Sequence, residues 1–156
     1  AQPQPLVQTK FREGFADISP DGRWIAYQSD ESGQNEIYVR PFPNVNDGHW
    51  QVSSAGGVKP TWAPSERELF YLDPNGALMA VAVQSTSTFN HGDPTKLFGA
   101  PYYQPLRGRV YDVSRDGQKF LMIKDAPSGG ERASAPDNLV VVLDWVEELK
   151  ARVPSK

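Results

Sequence analysis

The chain contains no cysteine, which excludes disulfides, zinc–thiolate sites and a cysteine nucleophile. No run of Lys or Arg exceeds two residues and the formal net charge is −3, so the basic stripe of a nucleic-acid footprint is missing. An anionic membrane surface is disfavoured as a target for the same reason. No apolar run approaches the roughly 20 residues of a membrane span, so no membrane insertion is expected. Ala1-Gln2-Pro3-Gln4-Pro5 has no signal-peptide character and reads as the trimmed end of a linker. The two histidines, His49 and His91, have no H-E-x-x-H or H-x-H companion, so no metal site is expected. There is no G-x-S-x-G elbow and no Walker or Rossmann glycine pattern. No catalytic residue and no cofactor are expected.

Against these absences stands a strong β pattern. Phe15 to Pro43, FADISPDGRWIAYQSDESGQNEIYVRPFP, reads as three strands joined by two tight turns. Ala16 and Ile18 alternate with Asp17 and Ser19 at the period of a strand. Pro20-Asp21-Gly22 supplies a fixed φ, a side chain able to cap its own backbone, and a residue tolerant of positive φ. Trp24 to Gln28 and Glu36 to Arg40 are the next strands, stopped by Pro41 and Pro43. Asp21 and Asp116 read as turn caps; one carboxylate per turn is too few for calcium.

The unit recurs. Trp62-Ala63-Pro64-Ser65 stands where Ile18-Ser19-Pro20-Asp21 stood, and Ser114-Arg115-Asp116-Gly117 repeats Ser19 to Gly22. The spacings are 44 residues (Pro20 to Pro64) and 51 (Pro64 to Arg115), the period of a β-propeller blade. At 156 residues the chain suits one partial propeller domain with repeats over about 11–53, 54–98 and 109–145. In the second turn Ser65-Glu66 replaces Asp-Gly, so that turn is expected to lose its positive-φ residue and distort. Leu6 to Phe11, Gln51 to Ser53 and Lys96 to Phe98 are expected as outer strands. Ser85 to Asp93, Pro101 to Gly108 and Asp125 to Asp137 are expected as polar loops. Trp145 to Val153 has the apolar spacing of one short helix.

The SPDG turn, the W-I-A-Y strand and the E-I-Y-V strand, in that order, resemble the WD-like repeat of TolB-type propellers. The stretches GGVKPTWAPSERELFYLDPNGALMAVAV and YDVSRDGQKFLMI, with LVVVLDWVEELK, resemble more narrowly the carboxy-terminal propeller end of bacterial Ser/Thr protein kinases. The resemblance spans about Phe11 to Val153 and implies an all-β fold and a periplasmic or extracytoplasmic setting.

Three blades are half of a six-bladed ring, and both end blades would expose apolar faces. A homodimer completing the ring is the expected remedy. The function expected is that of a non-catalytic interaction or scaffold module taking a protein or peptide. The alternative from another class is the gating propeller of a prolyl-oligopeptidase-like hydrolase, or the sensor part of a kinase. The adjacent carboxylates Asp30-Glu31 and Glu147-Glu148 point apart and suit a solvated face. Trp24, Trp62, Trp145, Phe70 and Tyr71 suit core packing. Trp50, Tyr102 and Tyr103 fall in expected loops and are the candidate binding residues.

Overall fold

In a computed structural model of the chain, the Ser19-Pro20-Asp21-Gly22 turn forms as its residues dictate. The Gly22 amide donates to the Ser19 carbonyl at 2.8 Å, with Gly22 at φ +71°. Asp21 accepts from the Ser19 hydroxyl and from the Arg23 amide, closing the turn on itself. The Ser114 to Gly117 turn is a copy, with Gly117 also at φ +71° and Asp116 accepting from the Ser114 hydroxyl and the Gln118 amide. Each turn joins the first two strands of a sheet.

The structure describes residues 2, 4–85, 88–99, 102, 108–123 and the backbone of 139–142. Over these residues the chain is all-β and every strand pair is antiparallel. The first sheet runs β1 (Glu13–Ile18), β2 (Trp24–Ser29), β3 (Glu36–Pro41), β4 (Trp50–Gln51), in that spatial order. The second contains β5 (Val58–Trp62), β6 (Glu68–Leu72) and the long β7 (Leu78–Ser85), whose two halves pair with β9 (Thr95–Phe98) and β8 (Phe89–His91). The third is β10 (Tyr111–Val113), β11 (Phe120–Ile123), β12 (Leu139–Val142).

Two apolar seams hold the sheets together. Trp24, Ala26, Ile37 and Val39 of the first sheet meet Trp62, Leu69, Tyr71 and Val81 of the second. On its other side the second sheet brings Phe70, Leu72 and Leu78 against Tyr111, Phe120 and Met122 of the third. A middle sheet packed on both faces must be apolar at successive positions, which is why Leu69-Phe70-Tyr71-Leu72 is an unbroken run.

Several expectations need correction. The second turn is not distorted: Glu66 itself takes φ +63°, and its amide donates to the Ala63 carbonyl at 2.9 Å as Gly22 does to Ser19. Leu6 to Phe11 forms no strand. The Phe11 amide donates to Thr9 Oγ1 and the Arg12 amide to Asp30 Oδ1, so side chains take donors that a ladder would need. The outer strand of the first sheet is Trp50–Gln51, not Gln51 to Ser53. The expected loop Ser85 to Asp93 contains β8, because Phe89 is drawn fully into the seam beside Trp24 and Trp62. The expected helix at Trp145 to Val153 lies outside the described residues.

Candidate functional site

The strands β1 and β5 open their sheets, and both are interrupted by a β-bulge. The register of β1 on β2 shifts between Gly14 and Asp17, and that of β5 on β6 between Val58 and Thr61. Inside each bulge one residue turns left-handed: Phe15 at φ +51° and Lys59 at φ +56°. Neither is glycine, and each stands five residues before its turn proline, Pro20 or Pro64. Left-handed backbone in a bulky residue is strained and persists only where surrounding contacts enforce it; such strain concentrates at functional sites.

The enforcing contacts are visible. The Lys59 ammonium lies 5.5 Å from the Phe15 ring centroid, a cation–π geometry. The buried Tyr111 hydroxyl donates to the Lys59 carbonyl at 2.8 Å, fixing the bulge from the third sheet. Burial lowers the Lys59 pKa and raises that of the Tyr111 phenol.

The same corner is tied by Asp17. Its Oδ2 accepts the Trp62 amide at 2.9 Å, its carbonyl accepts the Trp62 indole N–H at 3.1 Å, and its Oδ1 lies 3.2 Å from the Arg109 guanidinium. Arg109 also lies 3.7 Å from Asp112. One carboxylate thus joins the leading strands of two sheets and the approach to the third. The result is a cleft of about 130 Å³ lined by Phe15, Ala16, Lys59, Pro60, Thr61 and Arg109. Its walls carry an aromatic ring with the Lys59 ammonium beside it, the Thr61 hydroxyl bonded to Tyr111, and the Arg109 guanidinium engaged by carboxylates. Those groups suit the holding of a ligand.

The sequence-based candidates do not gather here. Trp50 is in β4, not in a loop, and its ring packs edge-on to Trp24 at 5.6 Å and against Phe89 at 5.5 Å. A short outer strand followed by loop residues carries no periodic signal, so its pairing was invisible locally. Tyr102 packs on Phe98, ring centroids 6.1 Å apart, at the seam between the second and third sheets. Tyr103 lies outside the described residues. Trp24, Trp62, Phe70 and Tyr71 are buried in the seams as expected. His49 contacts Glu31 Oε1 at 2.9 Å and stacks on Tyr38, whereas His91 Nδ1 lies 2.9 Å from the Gly92 carbonyl. Among the described residues, no three of His, Cys, Asp and Glu gather as a metal site would require. Phe15, Lys59 and Arg109 escaped sequence reasoning; the signal available for the first two was their common offset from the turn prolines.

No family model and no curated protein matches the chain. Among solved structures it is similar to an oligogalacturonate lyase from Vibrio parahaemolyticus, at 17% identity and a TM-score of 0.54. The match covers 76% of this chain and 31% of that one, so this chain spans about a third of that protein's length. At that identity the likeness carries the architecture alone. With the antiparallel sheets and their seams, it shows that the chain is built of β-propeller blades.

Proposed function

We propose that this chain is a non-catalytic binding or scaffold module of the TolB-like kind, holding a protein or peptide at the cleft of Phe15, Lys59 and Arg109. The observation that carries the reading is the repeated strain: two non-glycine residues, 44 positions apart, keep left-handed backbone inside equivalent bulges and turn toward one cleft. Packing alone is served by glycine at such positions; retaining a phenyl ring and an ammonium there favours a role for the side chains. The motif resemblance supports the TolB-like assignment, with kinase-attached propellers as the nearer relatives and a periplasmic or extracytoplasmic setting.

The test is a peptide-display selection on the immobilised protein, followed by mapping of amide shifts with an enriched peptide. The reading expects shifts concentrated at 14–18, 58–62 and 108–112, and a fall in affinity of about tenfold or more in Lys59→Ala. Enrichment of no peptide, or shifts confined to other surfaces, would refute it.

A further inference from the structure

The two internal joints between blades use repeat-equivalent positions. At the first, Ala26 of β2 shares a seam with Leu69 and Tyr71 of β6; at the second, Phe70 and Leu72 share one with Phe120 and Met122 of β11. By the offsets of 44 and 51, Leu69 and Tyr71 correspond to Ile25 and Tyr27 in the first blade. Likewise Phe70 and Leu72 correspond to Leu121 and Ile123 in the third. The outer face of the third blade therefore presents the side of a joint over which no sheet lies among the described residues, with Leu121 and Ile123 36% and 38% exposed. The outer face of the first blade is the complementary side.

That complementary side is already covered. Ile25 and Tyr27 are buried although no sheet lies over them among the described residues. Leu6 and Val7 instead line an apolar groove of about 370 Å³ with Ile25 and Tyr27. The cover is lightly held. Residues 5–11 form no strand pairing, Leu6 remains 40% exposed, and the hydrogen bonds at Phe11 and Arg12 are exposed and local to the blade. The exposed large hydrophobics of the described residues are Leu6, Ile18, Leu121 and Ile123, and all four belong to these two end faces.

We infer that residues 5–11 are a displaceable cover over a blade-docking face, and that the occupant of this face is the Leu121–Ile123 face of a second copy of the chain. The contact continues the two joints that the fold already makes, using the same positions in the same order. The three described strands of the third sheet, three to four residues long, measure only about 14 Å by 14 Å. One such joint is small beside a standard interface of about 800 Å² per partner, and making two joints together doubles the area. Two copies joined head to tail at both ends make both joints at once and close a ring instead of growing a filament. The inference does not depend on what the inner cleft binds.

The experiment is light scattering across a concentration series of the full chain, the double variant Leu6→Ser with Val7→Ser, and that variant carrying Leu121→Asp. Loosening the cover is expected to tighten self-association about tenfold. Adding Leu121→Asp is expected to abolish it, and because Leu121 is exposed the circular dichroism should match the parent's. Self-association that is absent, unchanged or weaker in the double variant would overturn the inference. So would a dimer that survives Leu121→Asp.

Discussion

Phe15 and Lys59 occupy the same position of consecutive blades, share the same left-handed backbone, and touch through a ring and an ammonium 5.5 Å apart. A strained residue of this kind costs of order 1 kcal/mol or more. Lys59→Gly removes both the strain and the ammonium. We expect its melting temperature to stay within a few degrees of the parent's, while affinity for a selected peptide falls at least about tenfold. A variant that loses stability and keeps its affinity would mark the bulge as purely structural.

Glu66 makes the opposite case, because its strain sits in a turn whose two counterparts are glycine. Glu66→Gly should raise stability by about 0.5–1 kcal/mol, seen as a melting temperature higher by about 1–4 °C. Gly22→Val, forced into φ +71°, should lower stability by about 1 kcal/mol or more. Thermal melts that rank the two substitutions the other way would contradict the shared turn geometry.

Asp17 is the tie between sheets. Asp17→Ala leaves the Trp62 amide without its side-chain acceptor and removes one of the two carboxylates beside Arg109, so a loss of roughly 1–3 kcal/mol is expected in urea titrations. Asp17→Asn keeps an acceptor oxygen and should lose less. Equal losses for the two would point to the charge, not the hydrogen bond, as the source.

Glu36 is buried where the first blade hands over to the second. It accepts from the Ser53 hydroxyl, from the Gly56 amide at 2.9 Å and from the Gln34 side chain at 2.6 Å. Replacement by alanine strands these donors, and by analogy with other buried hydrogen-bonded charges the loss should reach about 3 kcal/mol. Protease nicking near Ser54 to Gly57 should accelerate in the same variant, since that link is what the carboxylate holds. Unchanged cleavage would detach the link from Glu36.

A pH dependence follows from His49. Burial disfavours the charged imidazole and Arg40 adds repulsion; together they outweigh Glu31, so the pKa falls below its ordinary 6.5. The 2.9 Å contact with Glu31 is thus too weak to hold the proton against burial and Arg40. The unfolded chain binds this proton more tightly than the fold does. The corresponding stability is present above about pH 6.5 and is lost as the pH falls through the lower folded value. His49→Gln should flatten the decline of the denaturation midpoint on the acid side of pH 6.5. Parallel declines in the two proteins would rule out His49 as its source.

Local chemistry made much of the fold legible from the residues alone. Ser-Pro-Asp-Gly closes its own turn through Ser19, Asp21 and Gly22, and needs nothing distant to do so. The apolar run Leu69 to Leu72 reflects a strand covered on both faces, whereas the alternation along Phe15 to Ser19 marks a strand but not its covered face, since Ala16 and Ile18 are exposed and Ser19 is buried. Those patterns, with their spacing, determined the strands and the blade repeat. The ties between blades were not legible, because Asp17 meets Trp62 and Arg109 across 45 and 92 residues. Phe15 and Lys59 carry no residue-type signal for positive φ; only the contacts of a folded neighbour hold them there. Trp50 and Phe89 likewise look like loop residues until the seam that they fill exists. What the chain encodes residue by residue is each hairpin, since its hydrogen bonds and turns are local. Where the hairpins meet, and so which side chains share a cleft, was decided by burial of both sheet faces, which depends on all the blades at once.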